Sequence, residues 1–124
     1  MSLESLEGLS SVIDHHALLT RCLNNLAFAE RMLTLFQARC GEELLELEQA
    51  VKKGDMESVR RISHRLTGAS ANAAAPGLQA RASDLRHAAD DGSLEKASEC
   101  LVELRREWHR LTDAMAGDER VSSP

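Results

Sequence analysis

The sequence predicts an all-α protein: an up-down-up-down bundle of four helices with an additional short N-terminal helix. Two observations lead to this fold class. Leu and Ala dominate the composition while Val, Ile and Thr are few, which favours helix over strand. Apolar residues also recur in steps of three and four along four long segments that short connections join. Consecutive helices with short connections pack antiparallel, so the four long helices form a bundle.

The 124 residues fit one domain, with enough chain to bury a core without disulfide bonds. Residues 1–12 are a lead-in to which the pattern assigns no structure, and the first three of them are either a cloning remnant or a native start. The bundle occupies residues 13–116. The polar residues 117–124 are expected to form a disordered tail.

The first two predicted helices have clear boundaries. Asp14 is a candidate N-cap for a short helix over about residues 14–23, which lies across one end of the bundle and is broken by Asn24 and Asn25. A long helix follows, and the segment Lys-Lys-Gly-Asp at 52–55 ends it, because basic residues precede a glycine and the next Asp cap. Its apolar stripe is Leu26, Ala29, Leu33, Phe36, Cys40, Leu44, Leu47 and Val51.

Three further helices complete the bundle. The third runs from about residue 56 to 74. The fourth begins at Pro76, since proline suits the first turn of a helix, and ends at Asp91 and Gly92. Ser93 caps the fifth. The apolar stripes are Val59, Ile62, Leu66, Ala69 and Ala73 in the third helix, Leu78, Ala82, Leu85 and Ala89 in the fourth, and Leu94, Ala97, Leu101, Leu104, Trp108, Leu111 and Met115 in the fifth.

Composition excludes several classes of protein. A net charge of −5 with 2% aromatic residues is unfavourable for nucleic-acid binding, which needs positive charge and stacking platforms. No apolar run approaches the roughly 20 residues of a membrane helix, and no secretory leader is visible. Three widely spaced cysteines argue against a disulfide framework or a zinc site and indicate a reducing cytoplasm.

The third helix carries a histidine on the face away from its apolar stripe. With Ile62 at the centre of the buried face, His64 lies about 160° away and is expected to face solvent. Gly68 follows one turn later, although glycine within a helix costs roughly 1 kcal/mol relative to Ala. Nothing in the pattern demands a positive φ there, so the glycine is interpreted as removing bulk beside the imidazole. Ala71 and Ala75 are expected to continue this low surface.

This arrangement suits phosphoryl transfer through the histidine. An exposed imidazole is a competent nucleophile near neutral pH, because much of it is unprotonated. The guanidinium groups of Arg60, Arg61 and Arg65 are candidates to stabilise an anionic phosphoryl group on the ring. A low surface would let another protein bring its own phosphoryl group close. The alternative is an ordinary surface histidine beside a tolerated glycine.

Residues 64–72, His-Arg-Leu-Thr-Gly-Ala-Ser-Ala-Asn, resemble the motif of histidine-containing phosphotransfer (HPt) domains. In that family the histidine is followed by an apolar residue at +2, usually Lys at +3, and Gly at +4. The similarity extends from about Ile13 to Met115. It implies a cytoplasmic phosphorelay intermediate: His64 accepts a phosphoryl group from an aspartyl phosphate of one receiver domain and passes it to the aspartate of another.

The resemblance also implies what the chain lacks. Such domains have no kinase activity of their own, and the sequence contains no Gly-rich phosphate loop. The Mg²⁺ of the transfer belongs to the receiver, so no cofactor or metal is expected on this chain. The helical wheel and the resemblance together give the candidate supporting residues Arg60, Arg61, Arg65, Thr67, Gly68 and Arg86. The candidate partner-binding residues are Gly68, Ala71 and Ala75.

Three positions depart from the family's pattern. Thr67 replaces the usual Lys, so a cation beside the phosphoryl group is missing. Ala74 stands where a second glycine is common. Arg86, at +22, stands where Gln or Glu is frequent on the facing helix, and it is a candidate to restore the missing positive charge.

The other chemically capable side chains are interpreted as structural or solvated. His15 and His16 point to different sides of a helix, which is poor metal-binding geometry. His87 and His109 are expected on the surface, and Phe36 and Trp108 in the core. Core or boundary positions are expected for Cys22, Cys40 and Cys100, and a solvated face for Glu42, Glu43, Glu46 and Glu48.

Three functions remain open at this point. The first is the phosphorelay intermediate, and the start and end of the chain favour the HPt domain of a hybrid sensor kinase over a free-standing protein. The second, motivated by Thr67, is an HPt-like interaction module that binds a receiver without relaying phosphate. The third is an enzyme with a site between helices, which lacks support because the apolar stripes carry almost no polar residues. A monomer is the default oligomeric state for this architecture.

Overall fold

A computed structural model describes residues 2–122, and the side chains of residues 2–117. Within that range the chain forms six helices and no strand. The helices are α1 (Leu3–Glu7), α2 (His15–Arg21), α3 (Leu26–Lys53), α4 (Met56–Asn72), α5 (Pro76–Asp90) and α6 (Leu94–Ser122). The last four are the long helices of the predicted bundle, and the all-α fold class is confirmed.

The helix boundaries follow from local capping. Asp14 accepts a hydrogen bond from the Ala17 amide at 3.1 Å and so starts α2. Asn25 both follows α2 and caps α3, as the acceptor for the Phe28 amide at 3.0 Å. Gly54 ends α3 in the left-handed conformation, with φ +68°, which glycine adopts without steric cost. These side chains satisfy amide groups that a helix terminus leaves without partners.

Both ends of the chain differ from the prediction. The lead-in contains α1, capped by Ser2, and its Leu6 is buried in the core. The predicted disordered tail from residue 117 is corrected as well, because α6 continues to Ser122; Ser123 and Pro124 lie outside the described residues. A single glycine at 117 opposes a helix by only about 1 kcal/mol, and no proline lies between Leu94 and Ser123 to stop it.

The four long helices surround one leucine-rich core. Helix α4 packs most extensively against α5, while α3 packs against both α4 and α6. The short helix α2 is tied to the end of the bundle where α4 terminates. There the Asp14 amide donates to the Ala74 carbonyl at 2.8 Å, and the Arg21 guanidinium donates to the carbonyls of Ala71 and Asn72. The most buried large side chains include Leu18, Leu33, Leu47, Leu66, Leu85, Leu104 and Leu111.

Gly41 lies within α3 because α6 presses an indole ring against it. A Cβ at this position would lie 2.9 Å from Cζ2 of Trp108, closer than such atoms approach. The ring is also held by a hydrogen bond from its Nε1 to the Gln37 carbonyl at 3.0 Å. Trp108, expected in the core, is half-buried, while Phe36 is buried. Gly41 therefore serves the packing of α3 against α6.

Replacement of Gly41 by Ala is expected to destabilise the bundle although alanine is the better helix former. The steric conflict with Trp108 is of the size that costs about 1–3 kcal/mol, against a propensity gain of about 1 kcal/mol. Chemical denaturation should show a lower free energy of unfolding, and the emission of Trp108, the chain's one tryptophan, should shift. A variant more stable than the original, with unchanged emission, would contradict this packing role.

Candidate functional site

Helix α4 divides into a buried and an exposed face, and His64 lies on the exposed one. Val59, Ile62 and Leu66 are buried, at 0%, 3% and 1% exposure. His64 is exposed, as its position on the helical wheel predicts, and so is Arg61. The helix is fixed at its start by Asp55, and at its end by the contacts with α2. The imidazole is thus presented to solvent in the middle of a firmly packed helix.

Gly68 has no structural requirement for glycine. It is exposed, and a Cβ built on it meets no atom within 4 Å. Its φ is not positive, so the backbone conformation would accept any residue other than proline. Ala71, one turn further, is only partly buried. Together Gly68 and Ala71 leave a low surface beside His64 that packing within this chain does not explain.

Ala75 does not belong to this surface, and its predicted partner-binding role is corrected. Its side chain is fully buried, at 0% exposure. Helix α4 ends at Asn72, and the backbone then turns through Ala74, whose φ is +56°. Ala75 is the N-cap residue of α5 and points into the core. The prediction failed because it continued the helix beyond its end; the left-handed Ala74 also explains physically why glycine suits that position.

Arg65 faces the neighbouring helix rather than His64. Its Nε donates to Oε1 of Glu43 at 2.9 Å, and its Nη2 lies 3.7 Å from Oε2 of Glu46. Consecutive residues of a helix do not face each other, so the supporting role predicted for Arg65 at the imidazole is corrected. Glu43 is itself buried at 4% exposure, which corrects the interpretation of that acidic segment as a fully solvated face. This pair secures α3 to α4, and the periodicity of the sequence does not reveal it.

Thr67 is half-buried and contributes no cation. Its Oγ1 donates to the Ser63 carbonyl at 2.8 Å, so the hydroxyl is used within the helix. Ser63 makes the same kind of bond to the Val59 carbonyl at 2.6 Å and is fully buried. Position 67, where the family usually has a lysine, therefore carries a short hydroxyl side chain that is bonded within its own helix.

Arg86 lies at the level of His64 on the facing helix. The one ion pair between α4 and α5 in the described part of the chain joins Nε of Arg60 to Oδ1 of Asp90 at 4.0 Å. Because the two helices run antiparallel, four residues forward on α4 correspond to four residues back on α5, which pairs position 64 with position 86. The Nε of Arg86 is buried and has no hydrogen-bond partner among the described residues. The side chain of Arg86 is thus half-buried, and its Nε is not used by the described part of the chain.

The cysteines and remaining histidines form no second site. Burial raises the pKa of the Cys40 thiol to about 12, and the Glu43 carboxylate adds to the shift, so this thiol stays protonated. Cys22 is buried and Cys100 half-buried, as expected. The rings of His15 and His16 stack at 4.7 Å, which corrects the expectation that they point to different sides of the helix. Across residues 2–117, no three His, Cys, Asp or Glu side chains come together as metal ligands.

None of the described helices combines the length and the apolar character needed to cross a membrane.

Comparisons with known proteins bear on the family and the fold of this chain. A family model described as "Hpt domain" matches residues 31–114. A crystal structure of a proposed histidine-containing phosphotransfer protein from rice superposes with a TM-score of 0.79 at 19% identity, over 97% of this chain and 96% of that one. The histidine-containing phosphotransfer protein ZmHP2 from maize gives 0.78 at 21% identity, over 97% and 98%. At these identities the structures show a shared fold. No curated protein matches the sequence significantly.

Proposed function

Since the chain belongs to the Hpt domain family, which carries phosphoryl groups in two-component signalling, we propose that it is a phosphorelay intermediate with His64 as its phosphoryl acceptor. The observation that carries this proposal is the exposed imidazole beside a glycine that packing does not require. Hpt proteins are phosphotransfer carriers rather than kinases, so the phosphoryl group comes from the aspartyl phosphate of a receiver domain.

The transfer uses an unprotonated ring nitrogen of His64. Its lone pair attacks the phosphorus atom of the aspartyl phosphate, an N–P bond forms, and the P–O bond to the carboxylate breaks. The aspartate leaves with that electron pair, and the phosphorylated ring, which then carries a positive charge, releases the proton on its other nitrogen to water. The reverse sequence hands the phosphoryl group to the aspartate of a second receiver. The receiver supplies the Mg²⁺ for both steps, and this chain supplies a positioned nucleophile.

The residues around His64 contribute more to docking of the receiver domain than to the phosphoryl transfer step. Gly68 and Ala71 form the low surface on which the rim of the receiver's active site rests. Arg60 and Arg61 are exposed and contribute positive charge next to the acceptor. The 4.0 Å contact between Arg60 and Asp90 is loose and partly exposed, so Arg60 is free to exchange this partner for a phosphoryl oxygen.

A module that binds a receiver without relaying phosphate is the second candidate, because Thr67 removes the usual cation. The experiment that separates the two uses isolated receiver domains phosphorylated with radiolabelled acetyl phosphate in the presence of Mg²⁺. A relay intermediate acquires label that is acid-labile and alkali-stable, as phosphohistidine is. A binding module forms a complex and acquires none. Acetyl phosphate without a receiver is the control.

We propose further that Arg86 takes the electrostatic role of the missing lysine. Replacement of Arg86 by Gln should slow phosphotransfer, or shorten the lifetime of phosphohistidine, by about five- to tenfold, the effect of one partly exposed charged contact. Adding Lys at position 67 (Thr67→Lys) should offset that loss. Both effects are read from the time course of label on His64.

The matched control is Arg81→Gln on the same helix, since Arg81 is half-buried and pairs with Asp84 at 3.2 Å. It should leave the time course unchanged. Equal rates of phosphotransfer in the Arg86→Gln variant and the original protein would refute the proposal that Arg86 takes the role of the missing lysine.

The wider context stays a prediction. We expect the domain to act in the cytoplasm as part of a hybrid sensor kinase. A variant of that kinase from which this segment is deleted should no longer signal to its response regulator.

A further inference from the structure

Helix α3 carries exposed apolar side chains that the bundle does not use. Phe28, Leu35 and Leu45 are 53%, 67% and 64% exposed. They lie about 120–140° around the helix from Cys40, which is fully buried on the core side. Large apolar side chains repeated along one solvent-facing side of a 28-residue helix favour contact with another protein surface.

These residues belong to a regular seam. Positions 28, 31, 35, 38, 42 and 45 follow one another in alternating steps of three and four, the spacing that keeps side chains in line along a coiled coil. All six residues of this α3 seam are exposed: Phe28, Arg31, Leu35, Ala38, Glu42 and Leu45. The seam spans about 26 Å at 1.5 Å per residue.

The residues of the α3 seam are complementary to those of a second α3 seam that runs in the opposite direction. Around a midpoint between positions 36 and 37, the positions pair as 28 with 45, 31 with 42, and 35 with 38. The pairing places Phe28 opposite Leu45, and the long Leu35 opposite the short Ala38. It also places Arg31 opposite Glu42, and neither has an ion-pair partner in the part of the chain that the structure describes. A two-fold axis repeats each of these pairs.

We propose that the α3 seam binds the same seam of a second copy of this chain, with the two α3 helices antiparallel. A parallel arrangement would oppose Arg31 to Arg31 and Glu42 to Glu42, which the charges disfavour. Contact over about 26 Å of one helix is small beside a standard interface of about 1,600 Å², so the dimer forms at high protein concentration. His64 lies on the neighbouring helix α4. This proposal replaces the expectation of a monomer and does not depend on phosphotransfer.

The test is analytical ultracentrifugation of the whole chain at about 0.01–1 mM, a range suited to a small interface. The original protein should approach twice the 13.6 kDa monomer mass as its concentration rises. Arg31→Glu and Glu42→Arg should each remain monomeric, because each opposes like charges twice. Mixed together, these two variants should form a heterodimer, since every charged pair across the axis is then opposite in sign.

A charge change outside the seam provides the control. Glu99→Arg on α6, which is exposed, alters the net charge as Glu42→Arg does and should dimerise like the original protein. Circular dichroism confirms that each variant is folded. A protein that stays monomeric up to 1 mM overturns the proposal. So does a dimer that both single variants retain, or a mixture of the two variants that does not associate.

Discussion

The His64→Gln variant takes up no phosphoryl group from a phosphorylated receiver, the largest effect that we expect in this protein. Glutamine keeps a polar side chain of similar reach but has no ring nitrogen with a nucleophilic lone pair. The measurement is transfer of radiolabel from a receiver domain, followed by mapping of labelled peptides. Label on His87 or His109 in this variant would show that the acceptor assignment is wrong.

The same variant separates chemistry from folding. Because His64 is exposed on α4, its replacement should change the free energy of unfolding by no more than about 0.5 kcal/mol. Receiver binding, measured by titration calorimetry, should persist. A folded variant that binds a receiver and takes up no label would show that only the phosphoryl transfer step is lost.

The Gly68→Gln variant should be as stable as the original protein and nevertheless fail in transfer. A Cβ at Gly68 meets nothing within 4 Å, so the fold accepts a side chain there, and glutamine is a better helix former by several tenths of a kcal/mol. The added side chain, however, lies one turn from His64 and prevents the rim of the receiver's active site from approaching His64. Transfer requires reacting atoms within about 3–3.5 Å, so a displacement of about 1 Å should slow it roughly a hundredfold.

Two further glycine variants make this argument specific. Gly68→Ala should raise the free energy of unfolding by up to about 1 kcal/mol and slow transfer only mildly. Gly41→Ala, by contrast, should lower it, because a Cβ there meets Trp108 at 2.9 Å. If Gly68→Gln unfolds the bundle, Gly68 is a packing residue. If it is folded and transfers normally, the docking face lies elsewhere.

Sequence periodicity predicted the long helices and the direction of His64 because both depend on local rules. Apolar spacing sets which face of α4 is buried, and Asp55 and Gly54 carry recognisable capping chemistry. A helical wheel therefore located the exposed imidazole before any tertiary contact was known. The absence of bulk at Gly68 was predicted on the same basis, and the open space around its backbone agrees with it.

The missed features depend on contacts between helices, which periodicity does not contain. The helical wheel groups Arg65 with the other arginines around His64, although its partners on α3, Glu43 and Glu46, are about twenty residues away in sequence. The same periodicity continues α4 to Ala75, although the helix ends at Asn72. The register that brings Arg86 level with His64 could have been inferred only from a known antiparallel pairing such as Arg60 with Asp90.

The proposed function of this chain is to carry a phosphoryl group on His64 between two receivers. Its most direct test is a time course in which a labelled donor receiver, the chain, and an unlabelled second receiver are mixed with Mg²⁺. We predict that label appears first on His64 and then on the second receiver, and that neither step occurs when the chain is omitted or carries His64→Gln. Stable binding of receivers with no label on the chain at any time, or label that reaches the second receiver equally well in the absence of His64, would contradict the account.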